Sequence, residues 1–269
     1  MLAAGGRKSH LLMHGPRAVL TDWLAWPFVG CEAEAPAASA RTAFGERAAV
    51  LATCVSARSR ITEDWLASSG AEQYVALSAG LDSFAWWQTE GVRVFEVDHP
   101  ATQAWKRSRL EALGIATPPE LVWVPVDFEV ESITDGLSRA GLGADETFIS
   151  WLGVTPYLSL DAIAVTLRGL PPSLLAVSYA TPADTWPADA RAVSSGFRTM
   201  ADKAGEPAKS RFTPDEFTEV LADHQFALLE DVGFEYVAPR YGVPVLSVGN
   251  ERIALASKGA SHAQTARRK

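Results

Sequence analysis

The chain is poor in the residues that mark several common functions. It has two cysteines, Cys31 and Cys54. That number makes neither a disulfide framework nor a zinc site and points to buried small side chains in a reducing compartment. Basic charge is not in excess: 24 Lys and Arg stand against 32 Asp and Glu, a formal net charge of -8. Such a balance argues against a nucleic-acid or anionic-membrane surface. The one basic cluster, Arg267-Arg268-Lys269, reads as a solvated tail. No apolar run approaches the length of a membrane span. Arg7 and Lys8 are not followed by the apolar stretch of a signal peptide, because His14 interrupts Leu11-Leu12-Met13. A soluble cytoplasmic protein is the expectation. None of Tyr74, Tyr157, Tyr179, Tyr236 and Tyr241 has a lysine four positions on, which excludes the usual short-chain dehydrogenase pair. The five histidines lack metal-ligand spacing, so no metal is expected.

What is present is an alternation. Tyr74–Leu77, Val92–Val97, Leu121–Val126, Thr147–Trp151 and Leu174–Tyr179 are near-continuous apolar runs of strand length. Trp105–Leu113, Ser132–Ala140 and Asp161–Gly169 read as helices between them. The pattern predicts an α/β fold with a parallel sheet covered on both faces. Upstream, Arg17 to Ser69 reads helical, with Leu20, Leu24 and Phe28 on one face and Val50, Cys54 and Ala57 on another. A connector rich in alanine, Glu32 to Ala40, divides that region. Thr181 to Arg211 carries Pro182, Pro187 and Pro207 and is too long for a simple connection, so a partly helical lid is expected there. Thr213-Pro214-Asp215-Glu216 is a capping box opening a helix. Arg252–Ala256 reads as a closing strand, and residues beyond Lys258 read as disordered. The expected organisation is a helical cap over 1–69, a nucleotide-binding domain over 70–258 with a lid at 181–212, and a tail over 259–269.

One junction carries chemistry. The first strand breaks into Ser78-Ala79-Gly80-Leu81-Asp82 and then turns helical; the second ends in Asp98. This is the first half of a Rossmann-like nucleotide site, with an acid for ribose hydroxyls about 20 residues past a tight turn. A dinucleotide fingerprint needs G-x-G-x-x-G. Here those positions read Ser78, Gly80 and Ser83, so a pyrophosphate cradle is not expected. A nucleoside without phosphates fits, and S-adenosylmethionine is such a ligand. Gly80 lets backbone pass close to it. Asp98 would accept from both ribose hydroxyls, its rival role being the N-cap of the helix near Pro100. Glu96 shares its strand face and could support it. Asp127 and Phe128 could meet an adenine. Arg58 and Arg60 close the N-terminal helical region, where an arginine can grip a carboxylate. Ala76-Leu77-Ser78-Ala79-Gly80 also matches a nucleophile elbow, with His224 downstream, but no earlier strand offers an oxyanion loop. Trp186, Phe197 and Met200 in the lid suggest an apolar or aromatic substrate pocket.

Taken together, these residues resemble the leucine carboxyl methyltransferase-like family of S-adenosylmethionine-dependent O-methyltransferases, especially its actinobacterial branch. The carrying motifs are Ala57-Arg58-Ser59-Arg60, Leu77–Asp82, Phe95–Pro100, Val126-Asp127-Phe128, Ser150–Leu158 and Glu251–Leu255. The resemblance implies a seven-stranded class I methyltransferase sheet with its last strand antiparallel. It implies that Arg58 binds the cofactor carboxylate, that Ser78 and Gly80 contribute backbone contacts, that Asp98 binds ribose and that Asp127 and Phe128 hold adenine. The expected partner is a small-molecule methyl acceptor of secondary metabolism bearing a carboxylate or hydroxyl. Tyr157, His224 and His99 are the candidates for orienting or deprotonating it. The chain departs from the pattern at Ser78, where the family has glycine, at Trp87, where it has arginine, and at Leu152, where it has an acid. These departures leave open a protein that binds the cofactor without methylating.

Overall fold

The computed structural model describes residues 2–29, 46–87, 91–128, 130–186, 191, 207–242 and 251–259. Phe197, Met200, Cys31, the 32–40 connector and the tail past 259 lie outside these residues. The chain divides into two compact units, residues 1–147 and 148–269.

In the first unit, α1 (Leu2–His14), α2 (Ala25–Val29) and α3 (Glu46–Ser69) precede the sheet. Leu20 and Leu24 lie outside the helices; of the stretch read as helical, α2 and α3 are helices among the described residues. Helix α1 was not legible, because Gly5 and Gly6 disfavour a helix by about 1 kcal/mol each. Packing reverses the preference. A Cβ built on Gly6 would sit 3.5 Å from Val55 of α3, an ordinary contact distance, so α1 packs against α3 at this point.

The strands follow as β1 (Gln73–Leu77), β2 (Arg93–Asp98) and β3 (Leu121–Pro125), all parallel. Helix α4 (Pro100–Ala112) joins β2 to β3, and α5 (Ile133–Arg139) follows β3. Every residue of β1 is buried, as its unbroken apolar run predicts. Gln73 at its start is also buried, and its amide is matched to Gly143, Asp145 and Thr147. A cluster of Ala4, Leu24, Phe28, Val29, Leu81 and Leu110 joins α1, α2 and α4 to the loop after β1. That loop contains a single 3-10 turn, Phe84–Trp86, and no α-helix among the described residues. The expected helix after the first strand is therefore replaced by a turn. Ser83, at its start, has no side-chain capping bond.

The second unit holds β4 (Thr147–Trp151, whose first residue is the boundary), α6 (Leu160–Gly169), β5 (Ser173–Ala180), α7 (Pro214–Asp223), β6 (Ala227–Gly233), α8 (Val237–Tyr241) and β7 (Glu251–Lys258). Strands β4 and β5 are parallel. Strand β7 runs antiparallel to both β5 and β6, with a bulge between Leu228 and Glu230. The capping box at Thr213 forms in full. Tyr179 stacks on Phe217 at 4.1 Å, and its hydroxyl donates to Asp231. The strand order is β3-β2-β1-β4-β5-β7-β6, a seven-stranded, mostly parallel sheet. No helix among the described residues is long and apolar enough to cross a membrane.

Candidate cofactor site

The candidate site lies in the first unit, at the carboxyl ends of β1 and β2. As β1 ends, Ser78 and Gly80 both take positive φ, +55° and +53°. The glycine meets this conformation without a Cβ; the serine holds it at a cost of about 1–2 kcal/mol. The turn is stitched to β2 by two amides. Ala79 donates to the Val97 carbonyl at 3.2 Å, and Gly80 donates to Asp98 Oδ2 at 2.5 Å. The other oxygen, Oδ1, accepts from the His99 amide at 2.7 Å. Asp98 is thus not the cap of α4. His99 takes that role, its Nδ1 accepting from Ala101. Each Asp98 oxygen has one backbone donor and keeps a second acceptor position.

Space above the turn is open. A Cβ placed on Gly80 would meet nothing nearer than the Ser78 carbonyl at 4.0 Å. This glycine is required for its backbone angle and leaves room that a ligand can use.

Asp127 lies beside the same end of β2. Val126 donates to the Asp98 carbonyl at 3.0 Å, and the Asp127 carboxylate sits 3.9 Å from His99 Nε2. Phe128 is 42% exposed. The structure therefore links Gly80, Asp98, His99 and Asp127 directly, with Ser78 in the same turn as Gly80. Arg58 is buried on α3, its carbonyl accepting from Thr62 at 3.0 Å.

Behind the turn is a layer of charge that sequence reasoning missed. Arg7 of α1 gives Nε to Asp22 at 2.6 Å and Nη2 to the Leu81 carbonyl at 2.7 Å. Asp22, fully buried, also accepts from the Ala25 amide and so caps α2. Lys106 of α4 donates to the next carbonyl, that of Asp82, and to Glu96 at 2.6 Å. Both partners are 1% exposed. The ammonium is ringed by Phe28, Trp86 and Trp123, with centroids 5.3–5.8 Å away. Burial pushes the Glu96 carboxyl above its ordinary range, and Lys106 opposes that rise. Glu96 is thus the partner of Lys106 rather than of a ligand. A polar residue at each of two neighbouring buried-face positions, Glu96 and Lys106, was the available signal. Only the fold shows that they meet.

The remaining candidates lie elsewhere. In the second unit, Tyr157 is half-buried in the 3-10 turn Thr155–Tyr157. Leu152, just past β4, is half-buried. His224 ends α7, and its Nδ1 lies 2.8 Å from the Val220 carbonyl of that helix. Trp186 is buried, its Nε1 donating to Thr181 at 2.7 Å, so it packs as a wall element. The strand–turn–helix geometry that a nucleophile elbow requires is not formed at Ser78, since a 3-10 turn follows.

Comparison with known proteins gives a consistent result. The sequence pattern of the leucine carboxyl methyltransferase family matches residues 9–170. A Bacillus subtilis (strain 168) protein, YktD, carries the provisional name of an S-adenosyl-L-methionine-dependent methyltransferase. It is 36% identical over 172 residues, 60% of this chain and 56% of its own length. A Frankia alni protein named in the same way is 37% identical over 142 residues, 48% of this chain and 49% of its own. The chain spans about half the length of the curated relatives it matches. Among solved structures, one provisionally named a methyltransferase from Thermobifida fusca YX aligns with a TM-score of 0.59 at 20% identity, covering 84% of this chain and 88% of that one. The pyocyanin biosynthetic protein PhzM aligns at 0.52 with 15% identity, covering 95% and 73%. At these identities the likeness to solved structures is one of fold.

Proposed function

The chain belongs to the leucine carboxyl methyltransferase family, and from that premise we propose that it is an S-adenosylmethionine-dependent methyltransferase acting on an oxygen of a small-molecule acceptor. The observation that carries this reading is the bond from the Gly80 amide to the Asp98 carboxylate. It fixes an acid over an open turn with one acceptor position left on each oxygen, which suits the two hydroxyls of a ribose. Asp98 holds the sugar, Ser78 and Gly80 offer backbone, and Asp127 and Phe128 flank the adenine. Arg58 takes the cofactor's carboxylate as a bidentate donor.

When bound, S-adenosylmethionine supplies an electrophilic methyl group on a sulfonium. This chain's part is to bind, align and exclude water. An acceptor carboxylate is already ionised and needs no base; a hydroxyl acceptor does. His99 commits Nδ1 to Ala101, and His224 holds Nδ1 against its own helix. With Nδ1 accepting, His99 carries its hydrogen on Nε2 and offers no basic nitrogen there, which favours the carboxylate.

Calorimetric titration tests the reading. S-adenosylmethionine and S-adenosylhomocysteine should bind and NAD should not, and Asp98→Ala should abolish measurable binding. An Asp98→Ala variant that binds as tightly as the parent removes the assignment. Incubation with candidate carboxylic acids and phenols, followed by detection of S-adenosylhomocysteine, tests turnover.

A further inference from the structure

Helix α3 carries a row of polar residues into the interior: Ser56, Ser59, Thr62 and Glu63 are all buried. Ser56 and Thr62 satisfy themselves by donating to the carbonyls of Ala52 and Arg58 on their own helix. Glu63 does not. It is 7% exposed, its Oε2 is sealed from solvent with no hydrogen-bond partner, and no described residue bonds its other oxygen. A buried carboxyl oxygen without a hydrogen-bond partner costs free energy and calls for an explanation, a bound group among them.

Its charged surroundings are Asp82 in the turn after β1, Asp22 before α2, Arg7 of α1 and Arg60 on its own helix. The two arginines are directed elsewhere. Arg7 reaches Asp22 and the Leu81 carbonyl, and Arg60 gives Nε to Asp64 at 2.8 Å. Burial, reinforced by Asp82, pushes the Glu63 carboxyl up to about 8. At neutral pH it therefore holds a proton. The same turn that meets Asp98 at Gly80 comes near Glu63 two residues later, at Asp82.

Resting on the methyltransferase reading above, we propose that Glu63 receives the ammonium group of the cofactor's methionine end. The ammonium donates an N–H to the carboxylate, and the proton that Glu63 held leaves to solvent. No covalent bond changes. Binding at pH 7 then releases close to one proton, about 0.9 from a group titrating near 8.

The experiment is calorimetry at pH 7 in phosphate and in Tris, whose ionisation enthalpies differ, with S-adenosylhomocysteine as probe. The parent should release most of one proton. Glu63→Gln, which has the shape of the protonated acid, should keep the parent's unfolding midpoint, release none and bind roughly tenfold more weakly. With 5′-methylthioadenosine, which lacks the ammonium, parent and variant should bind alike and release no proton. Equal proton release by parent and variant, release with 5′-methylthioadenosine, or an unchanged affinity in Glu63→Gln would each overturn the proposal. The parent's proton release needs no variant, so a misfolded variant cannot rescue it. Absence of any S-adenosylhomocysteine binding would instead overturn the methyltransferase reading, and this inference with it.

Discussion

Arg7 hydrogen-bonds the carbonyl of Leu81 at 2.7 Å, across 74 positions of sequence. The guanidinium is held in place by Asp22, a fully buried acid that also caps α2. A helix near the start of the chain is thereby tied to the turn that faces Asp98. Arg7→Met leaves the Asp22 charge buried without its partner, and such losses cost about 3–5 kcal/mol. Urea unfolding should show a loss in that range, and adding Asp22→Asn should recover part of it. An Arg7→Met variant within 0.5 kcal/mol of the parent (roughly the scatter of surface substitutions) would contradict the strut.

The two positive-φ residues of the turn respond in opposite directions. Ser78→Gly relieves strain and should stabilise the protein by up to about 1 kcal/mol, the gain being trimmed by the greater entropy of unfolded glycine. Gly80→Ala should cost about 1 kcal/mol even though its new methyl group would have 4.0 Å of clearance. Thermal unfolding of both variants measures the pair. Calorimetry with S-adenosylhomocysteine then shows whether the serine side chain also hinders the ligand.

His10 confers an acid-sensitive stability. Its Nε2 accepts from the Val19 amide at 2.9 Å, so Nδ1 carries the hydrogen and donates to Thr53. Burial, with a smaller contribution from His14, lowers its pKa from about 6.5 to about 4. The folded protein thus binds this proton less readily than the unfolded chain. The stability it contributes is present above about pH 6.5 and declines as the pH falls toward 4. The loss is on the order of 3 kcal/mol when complete. Melting temperature against pH should show this decline, and His10→Gln should flatten it.

Lys106 and Glu96 form a buried pair whose loss is asymmetric. Lys106→Met strands Glu96 and should cost about 3 kcal/mol. Without Lys106, burial raises the Glu96 carboxyl further, so the variant's stability should be greatest at low pH and fall as the pH rises. Combining Lys106→Met with Glu96→Leu removes the stranded group and should recover more than half of the loss. Denaturant titrations of the two single variants and the double variant at pH 6 and pH 8 decide it. A double variant as unstable as Lys106→Met would show that the bond to the Asp82 carbonyl, rather than the ion pair, is what matters.

Much of the sheet was legible because strand formation leaves a local record. The apolar runs at Tyr74, Leu121 and Thr147 fall within a residue of the observed strands. The Thr213 capping box is a contact between neighbours in sequence, and it forms as written. The N-terminal helices were less legible. Gly5 and Gly6 disguise α1, since propensity sees the flexible backbone and not the packing of α1 against Val55 of α3. The turn at Ser78–Gly80 and the acid at Asp98 were readable, but their partnership was not fully so. Asp98 was weighed as a helix cap, and His99 fills that role.

Hydrophobic period, turn chemistry and the position of one acid after a strand are properties of short stretches, so the amino-acid order by itself determined the alternating α/β framework and pointed to the end of the sheet proposed here for the cofactor. Which charges meet across long separations depends on how the elements pack. Only the tertiary structure decided that Arg7 holds the Leu81 carbonyl, that Lys106 neutralises Glu96, and that Glu63 is left buried without a partner.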